Sequence, residues 1–150
     1  MNDTMNFKLY LNGAITKPQN SDVFDQCKKI NEENSTANGG TLIARTHIEK
    51  ANYLLVVIKP MMVEEKRKSV VVGYLCLRHY DDGLYISQLA VSKDHQRQGI
   101  ADRMIEYVED HLVIEENLYL HVNHGNDNAH ALFQKHNFVP MNVKYKKVYK

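Results

Sequence analysis

Two rhythms of apolar positions alternate along this chain, one suited to strands and one to helices. Phe7 to Leu11 reads as a short first strand, and Lys17-Pro18 with Asn20-Ser21 marks a break after it. Ser21 or Asp22 then caps a helix over about Asp22 to Glu33, with Val23, Cys27 and Ile30 forming one apolar stripe. Asn34 to Gly40, NSTANGG, predicts a loop, either a plain connector or a gate beside a substrate entrance. Ala51 to Ile58 is a continuous apolar run of the kind a strand buried on both faces needs. Lys59 to Lys68 turns the chain, its EEKRK charges marking a solvated hairpin tip, and Val70 to Tyr80 returns as a second long strand. Asp81-Asp82-Gly83 is a hairpin signal that leads into a third strand, Leu84 to Val91.

Beyond it, Ile100, Met104, Val108 and Leu112 recur at intervals of four and define the buried face of a helix opening near Gly99. A strand over Asn117 to Asn123, a helix over about Asp127 to His136, and a closing strand pair at Phe138 to Met141 and Val143 to Tyr149 come next. This order predicts an α/β (mixed α+β) fold with one central, mixed and mostly antiparallel sheet flanked by helices.

Composition narrows the class. A chain of 150 residues with 43% hydrophobic content has room for one domain over 1–150 and one core. A formal net charge of +1 sets up no field that would select nucleic acid or a membrane. Cys27 and Cys76 lie far apart, in an amphipathic and a strongly apolar setting respectively, which argues for buried thiols rather than a disulfide framework or a metal site. The opening residues lack the order of a signal peptide and no apolar run reaches membrane length, so a cytoplasmic protein is expected. The lysines of KYKKVYK read as protection of an edge strand, with contact to an acidic partner as the other reading.

The segment Leu84 to Leu112 carries the chemistry. An apolar strand runs through a glycine-containing turn into an amphipathic helix, and that arrangement aims unpaired N–H groups and a positive dipole end at an anion. One glycine before a helix is also what an ordinary strand-to-helix turn requires. The wider context separates the two readings. Gln96-Arg97-Gln98-Gly99-Ile100-Ala101 resembles the Q/R-x-x-G-x-G/A motif of the GCN5-related N-acetyltransferase (GNAT) family, and Leu89-Ala90-Val91 matches the triplet before it. The block from Asn126 to Phe138 resembles the family's N-x-x-A-x-x-L-Y-x-x-x-G-F pattern. Within the family, DHQRQGI and LHVNHGN look most like the corresponding blocks of protein N-terminal amine acetyltransferases.

The resemblance implies a GNAT-like fold and acetyl-CoA as co-substrate, with a cofactor half over about residues 70–138 and an acceptor-shaping part over about 1–69. Leu89, Ala90 and Val91 would hold the pantetheine arm and thioester carbonyl through their backbone. Gln96, Arg97, Gln98, Gly99, Ile100, Ala101 and Asp102 would form the pyrophosphate turn, with Asn126 and Phe133 contributing from the last helix. The partner is an amine acceptor, small molecule or peptide; no nucleic acid, membrane or metal is implied, and a homodimer is compatible.

His121 stands where related N-terminal acetylases carry a general-base glutamate, and imidazole suits that work because much of it is neutral near pH 7. The competing reading is a partly exposed strand histidine, one of eight in the chain. Phe133 replaces the tyrosine that resembles a proton donor to the CoA sulfur, and phenylalanine has no proton to give. Water, Tyr145 or Tyr149 could stand in for it. Asn137 replaces the usual glycine at the helix end, a mild change because asparagine tolerates the left-handed conformation. Asp102 would repel a phosphate unless Arg97 and Arg103 offset it. Asn126 either contacts the pantetheine arm or caps its helix. Two functions therefore compete: acetyl transfer to a primary amine by direct attack, or a non-catalytic acyl-CoA-binding or protein-interaction module that lost the tyrosine acid.

Overall fold

The computed structural model describes residues 4–37, 46–112, 117–122, 126–143 and 145–149. Five strands, β1 (Asn6–Leu11), β2 (Tyr53–Val63), β3 (Lys66–Tyr80), β4 (Gly83–Val91) and β5 (Asn117–Leu120), form one sheet in that order. The first three pairings are antiparallel and β4–β5 is parallel. Helices α1 (Ser21–Ala37) and α2 (Thr46–Lys50) precede β2, α3 (Ile100–His111) connects β4 to β5, and α4 (Asp127–Lys135) comes after β5. This is the expected mixed α+β layer.

Each face of the sheet is buried under helices. Tyr10, Leu54, Val56, Tyr74 and Cys76 pack under Cys27 and Ile30 of α1. Leu55, Val57, Leu75 and Leu77 pack under Ile100, Met104 and Val108 of α3, the interval-of-four face read from the sequence. Gly73 lets α3 approach: a Cβ there would lie 3.2 Å from Met104 Cε and 3.1 Å from the Ala90 carbonyl. Both cysteines are free and buried, and burial pushes the Cys27 thiol up to about 12, so neither is a ready nucleophile. No helix among the described residues is long and apolar enough to cross a membrane.

Four sequence expectations are corrected. Residues 34–37 belong to α1 rather than to a loop, because Asn34 Nδ2 donates within the helix to Ile30 O (2.9 Å) and across to Val91 O (3.2 Å). Residues 38–40 of that expected loop lie outside the described residues. Lys59 to Lys68 is not a turn: β2 and β3 stay paired to Val63↔Lys66, and only Glu64-Glu65 turns. The strand expected to reach Asn123 ends at Leu120, and Asn123 itself lies outside the described residues. The closing strand pair is absent: the described residues of 138–149 carry no strand and pair with no sheet edge. Alternation makes a segment strand-like, but only a neighbour makes it a strand.

The Glu64-Glu65 turn is costly. Both residues have positive φ (51° and 66°), the two-residue hairpin geometry that asparagine and glycine favour. Changing the pair to Asn-Gly is expected to raise stability by about 1–2 kcal/mol and Tm by roughly 2–8 °C. A thermal melt that does not move would show that the ladder, not the turn, sets the hairpin's stability.

Candidate active site

β4 is the wall on which the site is built. Its register against β3 shifts between Cys76 and Leu77, where Ser87 is the extra residue. Before that bulge Leu84 and Ile86 face α3; after it Ala90 faces α1 while Leu89 and Val91 face α3. β5 pairs with β4 only from Gly83 to Ile86, so the β4 edge from Ser87 to Val91 is open on that side.

Ladder parity shows which backbone groups the open edge presents. Ser92 N–H donates to Val72 O (2.8 Å), which makes 72/92 a hydrogen-bonded pair and, two residues on, 74/90 as well. Ala90 therefore spends its backbone groups on β3. Leu89 and Val91 direct theirs into the gap between β4 and β5. Val91 O already accepts from Asn34 Nδ2 and Gln96 Nε2 (3.3 Å).

The turn after β4 supplies the cradle. Arg97 (φ 62°) and Gly99 (φ 78°) are both left-handed, and such turns gather successive N–H groups into a concavity. Arg103 N–H donates to Gly99 O (3.1 Å), the first bond of α3. The N–H groups of Ile100, Ala101 and Asp102 thus lack partners inside the helix and point outward from its first turn. A Cβ on Gly99 would meet open space, so backbone conformation rather than crowding calls for glycine there.

A cleft of about 440 Å³ runs along this wall, lined by Leu89, Val91, Gln96, Arg97, Ala101 and Asp102 and closed by Asn34, Asn128 and Leu132. Gln98 instead lines a separate cavity of about 340 Å³ with Met5, Lys59 and Arg103. Ile100 is buried in the core under α3. Asn126 caps α4, its Oδ1 accepting from Ala129 N–H (3.2 Å). Phe133 packs edge-on against Phe138, ring centroids 5.4 Å apart.

Asp102 finds its partners on α4 rather than on Arg97 or Arg103. Its Oδ1 accepts from His136 Nε2 at 2.8 Å and pairs with Lys135 Nζ at 3.1 Å. The His136 hydrogen bond, aided by Lys135 and opposed by burial, holds the Asp102 carboxyl below its usual value. The carboxylate is thereby neutralised beside the cradle, and the end of α4 is clamped to the start of α3. Because the folded-state pKa is depressed, this stabilisation is present above the ordinary carboxylate range and is lost as the pH falls through the folded value. Asp102→Asn is expected to cost about 1 kcal/mol at neutral pH, with the gap in Tm from the parent closing in acid. A gap that stays constant with pH would show that the carboxylate charge is not what holds α4.

At the other end of the open edge, His121 directly succeeds β5 and its Nδ1 shares a hydrogen bond with the Tyr85 hydroxyl of β4. Burial, and after it Tyr80, raises the Tyr85 pKa, so the phenol stays neutral. The Tyr80 ring lies tilted against both Tyr85 and Tyr119, with Tyr119 O–H donating to Asp82 at 2.8 Å. Opposite, two further bonds join Asn34 in tying α1 to the sheet. Val71 N–H donates to Gln26 Oε1 (2.8 Å), and buried Gln88 Nε2 donates to Asn31 Oδ1 (2.8 Å).

A family model described as "Acetyltransferase (GNAT) family" matches residues 24–138. The chain belongs to the GNAT acetyltransferase family. Acetyl-CoA is the family's acetyl donor, and the open Leu89–Val91 edge with the α3 cradle is chemically suited to an amide-bearing arm ending in phosphates. Solved GNAT-fold structures support the architecture. Ard1 from Thermoplasma volcanium is 18% identical, covering 92% of this chain and 84% of that one, with a TM-score of 0.63. An aminoglycoside acetyltransferase from an uncultured soil metagenomic sample, solved with sisomicin, is 18% identical over 97% of both chains, TM-score 0.58. The aminoglycoside N-acetyltransferase AAC(6')-Iy, solved with CoA, is 12% identical over 98% of this chain and 97% of that one, TM-score 0.61. The sequence finds no match among curated proteins.

Tyr85, Asn34, Asn128 and Leu132 of this GNAT domain were not singled out from sequence. A tyrosine one strand away from His121 gave no local signal, and Asn34 sat in what read as a loop. Among the described residues no three metal-ligating side chains come together.

Proposed function

We propose that this GNAT acetyltransferase moves the acetyl group of acetyl-CoA to the free α-amino group of a peptide by direct attack. The observation that carries the reading is the open β4 edge, where the backbone of Leu89 and Val91 faces a cleft ending at the unpartnered N–H groups of α3. Those strand N–H groups polarise the thioester carbonyl where negative charge develops. The first turn of α3, with Arg97, holds the phosphates. His121 takes the proton from the attacking amine, directly or through water. When Nδ1–H is donated to the Tyr85 oxygen, Nε2 keeps its lone pair for this step. Phe133 donates no proton, and a thiolate is a good enough leaving group to depart without one, more slowly. The acceptor class rests on the likeness of DHQRQGI and LHVNHGN to N-terminal amine acetyltransferases.

The test monitors thiol release from acetyl-CoA with a panel of free and N-blocked peptides, aminoglycosides and polyamines. Turnover with free peptides that is lost on blocking the N-terminus is expected. Turnover with aminoglycosides alone would replace the acceptor. CoA binding without turnover anywhere would instead favour the non-catalytic module.

A further inference from the structure

The sheet face that carries His121 continues past it as a strip of aromatic rings. Leu84 and Ile86 face α3, so Tyr85 between them faces the other side, together with its cross-strand partners Arg78 on β3 and Tyr119 on β5. Helix α1 packs on this side over Tyr74 and Cys76, whereas Arg78, Tyr80 and Asp82 beyond them are exposed.

A missing side chain orders the strip. Gly83, paired with Tyr80, leaves room for the Tyr80 ring to cross β4 and lie 5.7 Å from Tyr85 and 5.0 Å from Tyr119, centroid to centroid. Tyr80 is still 52% exposed. The strip ends on a carboxylate. Asp82 accepts from the Tyr119 hydroxyl at 2.8 and 3.1 Å and from Asn117 Nδ2 at 3.0 Å, which fixes it at the β5 end of the rings. Among the described residues no cation pairs with it. Aromatic faces beside an unneutralised carboxylate are the surroundings that attract an alkylammonium or guanidinium group.

We infer that this strip selects the acceptor, taking a peptide whose second or third residue is lysine or arginine. The inference rests on the peptide acceptor proposed above. With the α-amine at His121, the Asp82 carboxylate lies roughly 7–12 Å away, two positions back along β5 and one tyrosine length outward. The side chain of a second- or third-position lysine spans that gap. Its methylene stem lies on the tyrosine rings, and its ammonium meets Tyr80, Tyr119 and Asp82 together. Arg78 shares the face on the β3 side of Tyr85. It repels a cation there and so directs the basic side chain toward Asp82, while an acidic side chain at the same position would meet the Asp82 charge.

Fluorescence anisotropy of C-terminally labelled seven-residue peptides, titrated with the full chain in saturating CoA, reads this selection without turnover. Lysine or arginine at the second or third position is expected to tighten binding about 3–10-fold over alanine, with glutamate weaker than alanine and the spread narrowing as salt is raised. Moving the lysine to the sixth position should abolish the gain. Asp82→Asn keeps an acceptor for Tyr119 but loses the charge, and Tyr80→Leu removes an exposed ring; each should bring the lysine-to-alanine ratio toward one. Equal affinity for the lysine, alanine and glutamate peptides, a gain that persists at the sixth position, or a ratio unchanged in both variants would each overturn the strip. Thiol release with the alanine peptide would still support peptide acetylation in those cases. Lysine-dependent binding with no thiol release would keep the strip and retire the acetyl-transfer reading instead. No binding of any peptide would overturn the strip and leave the chemistry to the acceptor panel.

Discussion

Replacing His121 by alanine is expected to lower kcat by about 10²–10⁴-fold, the usual contribution of a positioned general base. CoA binding should be unaffected, because the cradle at Arg97 to Asp102 and the Leu89–Val91 edge are backbone features that the ring does not touch. The acidic limb of kcat against pH should flatten at the same time. Tyr85→Phe leaves the imidazole in place but removes its hydrogen-bond partner, and a loss of about tenfold in kcat is expected from poorer orientation alone. Steady-state thiol release with isothermal titration of CoA separates these effects. A His121→Ala enzyme that keeps its rate and pH profile would remove the histidine from the chemistry and return the proton to water.

Gly83→Ala should be the most damaging small substitution in the sheet. An added Cβ would lie 2.7 Å from the Asn117 carbonyl carbon and 2.8 Å from its nitrogen, and backbone on a paired strand has nowhere to go. The expected cost is about 2–3 kcal/mol, in the range of overpacking where neighbours cannot yield. Because Gly83↔Asn117 opens the β4–β5 register, the displaced strand carries Tyr119 and His121 with it. A combined loss of Tm and kcat, with CoA affinity largely kept, is therefore expected. A melt within a degree or so of the parent would mean that β5 is held by its side chains rather than by the ladder at its start.

The stretch from β4 through α3 was legible because its information is local. The interval-of-four apolar face placed α3, the alternation placed β4, and the glycine before Ile100 marked a turn whose left-handed backbone the structure contains. Asn137 likewise has φ 68°, the conformation its position at the end of α4 called for. Helix α1 was read short because Asn34 is a weak helix former whose place is decided by a bond to Val91, 57 positions away. The charges of the β2–β3 ribbon read as a tip because a solvated strand has no apolar rhythm to announce it. Asp102 looked like a liability beside a phosphate until α4 brought Lys135 and His136 to it.

By itself the sequence determined the helix and strand types from β1 to α4 apart from the end of α1 and the β2–β3 ribbon, the buried faces, and the left-handed turn at Gly99, since each depends on residues a few positions apart. The tertiary structure alone decided which side groups meet: Tyr85 with His121, Asp102 with α4, Asn34 with the β4 carbonyl. It also showed that the strand-like residues after α4 have no neighbour in their own sheet. Helical turns, caps and alternation are set by neighbours in the chain, whereas pairing, splaying and the meeting of side chains require closing long loops. Which loops close is a competition among all the elements at once.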